Sequence, residues 1–287
     1  MTILAVEGGA KLDALPVRNS AANSLKVYFR LVLSSLKSQL QYRASFALMA
    51  LGQFMTTIIE FIAIWALFDR FGNLQGWTIG EVSLFYGIIH CSFAVAEAFS
   101  RGFDVFPGMV KSGAFDTVLT RPRSTVLQLL GAEFQLMRIG RFLQGVLIFY
   151  IGASRLSVDW NAWRIALVLF AALGGVCLFS GLFVLFATAA FWTTEALEIF
   201  NTMTYGGVEA SQFPMTIYKP WFRVFFTVVV PLATINYFPL HAILGRTDPL
   251  QSGFEFQCFS PAIGIVFLLV ALQVWKLGVR RYCSTGS

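Results

Sequence analysis

The sequence predicts an all-α, polytopic membrane protein. Six transmembrane helices are expected, with an amphipathic helix at the N-terminal interface and a short helix in one connecting loop. Three observations lead there. First, the 287 residues are 57% hydrophobic and only 13% charged, with 30 phenylalanines. Soluble domains carry about 25% charged residues, so this chain has too little polar surface to cover a water-soluble globule. Second, its apolar runs are about twice the length of a barrel strand, which selects helices over strands. Third, lysines and arginines crowd into alternate loops between those runs.

Residues 1–24 are expected to be a mobile tail. No secretory leader is expected in them, because the apolar patch at 3–6 is too short for one and Glu7 follows at once. Residues 25–43 predict an amphipathic helix lying at the interface: Val27, Leu31, Leu33, Leu36 and Leu40 approximate one stripe, with Lys26, Arg30, Lys37 and Gln41 largely off it. A single membrane domain then runs over 25–281, with spans at about 45–68, 82–100, 139–158, 163–192, 222–238 and 259–279. The fifth is interrupted by Pro231. Residues 282–287 form a second tail.

Charge sets the orientation. Arg70, Arg155, Arg164 and Arg246 fall on one side, and the remaining seventeen of the 21 basic residues fall on the other. The positive-inside rule then puts both termini in the cytoplasm. Topology accounts for the net charge of +6, so nucleic acid is not needed. Cys91, Cys177, Cys258 and Cys283 lack metal-ligand spacing and read as small buried hydrophobes. Two histidines exclude a His-rich metal site.

The loop at 100–141 is the longest internal polar piece. Gly108 and Gly113 bracket one helical turn. A second turn starts near Asp116, where a carboxylate suits the helix dipole, and ends at Pro122. Phe115, Val118 and Leu119 share one side, and Arg121 and Arg123 close the turn. Ser124 is placed to cap a new helix that continues into the third span. Composition leaves two readings open, a docking helix or a solvated surface loop.

No phosphate-binding loop, Cys-x-x-Cys, His-Glu-x-x-His or Gly-x-Ser-x-Gly occurs. Glu195 and Glu198 read as a solvated face, and no catalytic residue is expected. Ionisable groups inside spans are the functional suspects: Glu60 in the first span, and His90 and Glu97, seven apart on one face of the second. The plainer reading of Glu97 is an ion pair with Arg101 one turn on. The plainer reading of His90 is an interhelical hydrogen bond.

The pattern Gly113-x-Phe115-Asp116-x-x-Leu119-x-Arg121-Pro122 resembles the cytoplasmic loop of type 2 ATP-binding-cassette (ABC) exporter permeases. It is most similar to a bacterial subfamily often encoded in pairs beside one ATPase. The stretch at 213–246 resembles that subfamily too, through Pro214, Tyr218, Pro231, Tyr237, Pro239, Leu244 and Gly245.

The resemblance implies the membrane subunit of an ATP-driven exporter in the bacterial inner membrane. ATP and Mg would sit on a cytoplasmic ATPase partner, with no cofactor bound by this chain. A second permease chain, identical or paralogous, would complete the path. Phe115, Asp116, Leu119, Arg121 and Pro122 would form a coupling helix seated on the ATPase. The N-terminal helix would be the interfacial connecting helix. Residues 193–213 would be a second cytoplasmic contact, and 241–258 would hold short re-entrant helices on the outer face. The apolar spans favour a hydrophobic or amphipathic small molecule, and Glu60 would favour a cationic one. The alternatives are an ion-coupled secondary transporter using Glu60, His90 and Glu97, or a membrane scaffold without transport.

Overall fold

The computed structural model describes residues 21–193 and 197–282. Most of the expected tail therefore lies outside the described residues, as do Glu195 and Cys283 and the side chains of Val27, Leu31 and Glu198. The first helix, α1, runs Ala21–Gln41, so the end of the expected tail is already helical. Its docked face is not the predicted leucine stripe. Val32 is buried, whereas Leu33 and Leu40 are exposed. Gln39 makes the joint: its amide donates to the Phe134 carbonyl, and its Oε1 accepts from the Leu136 N–H at 3.0 Å.

Among the described residues, five helices are each long and apolar enough to cross a membrane. In order they begin with α2 (Arg43–Phe71) and α3 (Ile79–Asp104). Thr78 and Glu81 form a capping box that starts α3, with the Thr78 N–H donating to Glu81 Oε2 at 2.8 Å. Three short helices follow at the α1 face: α4 (Phe106–Lys111), α5 (Ala114–Leu119) and α6 (Thr125–Ala132). The third and fourth long helices are α7 (Ile139–Arg155) and α8 (Ala162–Ala189).

Helix α3 is the axis of the bundle and is buried along most of its length, while α2 buries only Thr57, Phe61, Ile64 and Phe68. Backbones meet closely where glycine allows it. A Cβ at Gly87 of α3 would lie 2.4 Å from the Phe149 Cβ of α7, and one at Gly152 of α7 would lie 2.5 Å from the Ser83 Cβ.

Ser124 stands at the N-cap of α6 without a side-chain cap bond, and α6 does not continue into the third span. The chain extends at Glu133 and makes a 3-10 turn over Leu136–Arg138 before α7 begins. The break lets Arg138 turn inward.

The largest departure from expectation concerns the fifth crossing. Helix α9 (Leu197–Ser211) lies in a stretch expected to be a cytoplasmic loop. Its Tyr205 touches Glu97, near the end of α3 that meets the α1 face. Just past its end, Thr216 accepts from Trp77 Nε1 at 3.1 Å, beside the start of α3 at the opposite face. The chain therefore crosses between these two points.

The run expected to be the fifth span is instead a bent pair, Pro220–Val229 and Leu232–Leu244, meeting at 75°. It contains α10 (Pro220–Val224), a π-helical turn, and α11 (Tyr237–Leu244). Arg223 near its start and Arg246 just past its end line one cleft with Trp77. Both ends thus lie on the same face, and the pair is a re-entrant hairpin. Pro231 breaks it, and its tip is held inside: Leu232 abuts Gly207, and the Thr234 carbonyl accepts from Ser260 Oγ at 2.9 Å.

A short helix α12 (Phe254–Phe259) then leads into α13 (Ala262–Arg281), which returns to the α1 face. A Cβ at Gly264 of α13 would lie 2.2 Å from the Gly174 carbonyl oxygen of α8. Counting α9, 15 residues long, with the five long helices gives six crossings among the described residues. Lys219 and Arg223 move to the face opposite α1, so the basic residues divide fifteen to six, with the same sign of bias.

Cysteine labelling from either side of sealed vesicles tests this topology. Lys219→Cys and Thr247→Cys are expected to react from one side and Ser112→Cys from the other. A Lys219→Cys that labels with Ser112→Cys would make the bent pair a true span.

Candidate functional site

Two groups of residues stand out, one at the α1 face and one within the bundle. Gly113 starts α5 in the left-handed region at φ 70, a conformation glycine adopts without strain. The backbone turn directs Phe115 inward. Phe115 is fully buried and meets Phe106 at 4.8 Å, Tyr282 at 5.1 Å and Phe191 at 5.7 Å between ring centroids. Trp275 of α13 joins the same cluster, 4.9 Å from Phe106, and donates from Nε1 to Thr125 Oγ1 of α6 at 3.1 Å. Edge-to-face aromatic pairs of this kind contribute about 0.5–1.5 kcal/mol each beyond area burial. The cluster joins α5 to the ends of α3, α8 and α13.

The other predicted loop residues point elsewhere. Leu119 is 40% exposed, and Arg121 and Pro122 are exposed. Asp116 is half-buried beside Tyr282. Burial pushes the Tyr282 phenol up, and the neighbouring Asp116 carboxylate adds to it. Phe115 and Leu119, expected on one side, thus have opposite roles: one anchors the helix and the other is presented outward.

Within the bundle, Glu97 is only 1% exposed. It does not pair with Arg101, which binds Asp104 instead and reaches Glu133 at 3.9 Å. Glu97 Oε1 lies 2.7 Å from Arg138 Nη2 and accepts from the Tyr205 hydroxyl at 3.3 Å. Its Oε2 lies 3.4 Å from Arg141 Nη1. Arg138 also donates to Gln53 Oε1 of α2 and Gln135 Oε1, both at 2.9 Å. The cluster therefore ties α2, α3, the start of α7 and α9 together. Sequence reading placed Arg138 and Arg141 among loop charges and Tyr205 in a loop. The spacing of Arg138 and Arg141, three apart at the head of an apolar run, was the available signal.

Arg141 stands over the Phe93 ring, 5.1 Å from its centroid. Glu60 and His90 lie within its electrostatic reach, and Glu209 lies within that of Glu60. His90 is 1% exposed and stacks on Tyr86 at 3.9 Å. The Tyr86 hydroxyl donates to the Thr57 carbonyl at 2.8 Å and accepts from Gln144 Nε2 at 3.1 Å. Neither ring nitrogen of His90 has a hydrogen-bond partner, and neither has Glu60 Oε2. So the structure brings Glu60 and His90 into one polar strip with Arg141 and Glu209, contributed by α2, α3, α7 and α9. Glu97 sits at the edge of that strip with its charge already matched. Cys91, Cys177 and Cys258 are half-buried rather than fully enclosed. Among the described residues no group of His, Cys, Asp and Glu could hold a metal ion.

Breaking a buried pair by removing one partner costs about 3–5 kcal/mol. Glu97→Gln is therefore expected to lower the thermal unfolding midpoint of the detergent-solubilised protein, and adding Arg141→Met should recover part of the loss. An unchanged midpoint in Glu97→Gln would show that the pair does not hold the helices.

A family model described as ABC-2 family transporter protein matches residues 54–286. No curated protein and no solved structure was found that matches the chain. The match covers α3 to α13 and most of α2, including the loop helices, the polar strip and the re-entrant hairpin. This chain belongs to the ABC-2 family of transporter proteins and is a multi-pass membrane permease of an ABC transporter.

Proposed function

We propose that the chain is the permease subunit of an ATP-driven exporter of the bacterial inner membrane, with both termini cytoplasmic. The observation that carries this reading is the construction of α5. Phe115 fixes the helix to the aromatic cluster, while Leu119, Arg121 and Pro122 remain exposed beside it. A separate ATPase that grips the exposed side would push on a body joined to three membrane helices. ATP and Mg would be held by that partner. Asp116 would serve the inward side, next to Tyr282.

A second permease chain, identical or paralogous, would pack against this one. Helix α2 leaves a long apolar face uncovered, with Met55, Ile59, Ile62 and Trp65 exposed, and Glu60 lies at its margin. The strip of Glu60, His90, Arg141 and Glu209 would then border a path between the two copies. Its apolar surroundings suit a hydrophobic or amphipathic small molecule, and Glu60 and Glu209 would accept a cationic group. A second reading has one observation in its favour. His90 is buried with neither ring nitrogen hydrogen-bonded, and the Oε2 of half-buried Glu60 has no partner; these are also the groups an ion-coupled carrier would use.

Two experiments test these assignments. The double variant Leu119→Ala, Arg121→Glu is expected to weaken ATPase capture about tenfold or more at an unchanged melting temperature. Phe115→Ala should instead lower stability by about 3–5 kcal/mol, the cost of emptying a large buried aromatic site. Full ATPase capture by the double variant would remove α5 as the docking element. Glu60→Gln should reduce export of a cationic substrate more than that of a neutral one of the same size. Export that needs a proton gradient in ATP-loaded vesicles would favour the ion-coupled reading.

A further inference from the structure

The face opposite α1 carries a cleft of about 400 Å3. It lies where the re-entrant hairpin meets the α2–α3 turn, outside both groups described above. Trp77, Thr216, Arg223, His241, Arg246 and Thr247 line it. Its volume is within the roughly 300–1,000 Å3 range of small-molecule sites.

The charges in the cleft are not balanced. Arg246 is satisfied three ways: its Nε lies 2.9 Å from Glu81 Oε1, its Nη2 donates to the Gly76 carbonyl at 2.7 Å, and its guanidinium stands 4.3 Å from the Trp77 ring centroid. Asp248 nearby is also fully engaged. It accepts from the Tyr237 hydroxyl at 2.7 Å, from the Leu250 and Ser252 N–H groups and from the Ser252 hydroxyl. Burial works against its charge, but these hydrogen bonds win and hold the Asp248 carboxyl below its ordinary range.

Arg223 has no such match. Its Nη2 donates to the Tyr218 carbonyl at 3.2 Å, its Nε is buried with no partner, and among the described residues no carboxylate pairs with it. A guanidinium with a buried unsatisfied N–H is held at a cost that an anion would relieve. Two guanidiniums and two threonine hydroxyls around one space match the acceptor oxygens of a phosphate.

The surroundings say where that phosphate comes from. On the hairpin arm that bears Arg223, Trp221, Val224, Val228 and Val229 are all strongly exposed. An apolar outer surface beside a single inward-reaching arginine suits acyl chains outside and a headgroup within. We infer that this cleft binds the phosphate of an anionic phospholipid at the face opposite α1, with Arg223 as its principal ligand and Arg246, Thr216 and Thr247 completing the site.

The test uses the full chain in detergent. Dioleoyl phosphatidylglycerol, dioleoyl phosphatidylcholine and inorganic phosphate are titrated separately, with native mass spectrometry and tryptophan fluorescence as readouts. Phosphatidylglycerol is expected to bind at least about tenfold more tightly than phosphatidylcholine. Arg223→Gln should weaken it about tenfold or more, as loss of a charge-assisted hydrogen bond does. Arg223→Lys should retain part of the binding, and Arg155→Gln, exposed on the same face outside the cleft, should retain all of it. Melting temperatures of each variant separate lost binding from lost fold. If inorganic phosphate competes at the lipid's own affinity, the site takes free phosphate and the lipid assignment fails. If a folded Arg223→Gln binds phosphatidylglycerol as the wild type does, the site is overturned.

Discussion

A carboxylate carried into an apolar bundle must find its countercharge there, and the arrangement of this protein follows from how Glu97 does so. Water is too far to solvate it, and an unpaired charge at that depth would cost several kcal/mol. Arg138 and Arg141 supply the match. For both to reach Glu97 the chain has to turn before α7, hence the extended Glu133 and the 3-10 turn that follow α6. The Tyr205 hydroxyl draws α9 to the same point, and Gln53 brings in α2. One buried anion thus sets the mutual positions of four membrane helices.

The aromatic cluster at the α1 face obeys a different physics with a similar result. Its members are held by area and by ring geometry, without charge, so the contact tolerates small rotations while staying closed. Close glycine contacts behave differently. Where Gly87 meets Phe149, or Gly174 meets Gly264, the backbones have no slack. The pairs α3–α7 and α8–α13 are therefore held at close, fixed spacing at these points.

Five spans were legible in the sequence: α2, α3, α8 and α13 are nearly continuous apolar runs, and α7 falls in the weaker run at 139–158. Helix α9 was not, since Glu198, Asn201, Thr202, Thr204 and Glu209 give it the composition of a loop. Its polarity belongs to a helix that borders a polar strip, with Thr204 buried and Glu209 exposed. The hairpin around Pro231 misled in the opposite sense. It is apolar because it dips into the bundle, and apolarity alone cannot tell a dip from a crossing. Local spacing also favoured Glu97 with Arg101, but the stronger partners lay 41 and 44 residues away in the chain. Phe115 was visible as a motif residue, yet only packing shows that it faces inward while Leu119 faces out.

The pairing of Glu97 also bears on how the protein is made. Synthesis delivers α3 to the membrane before α7, so Glu97 enters lipid while its arginines are still on the ribosome. During that interval α3 carries a charge without compensation, worth up to about 3 kcal/mol on insertion scales. The same carboxylate then waits as a receptor for the next segment, whose own two arginines make it a poor candidate for insertion alone. Each segment thus lowers the other's barrier, and the order of translation turns a liability of α3 into a guide for α7.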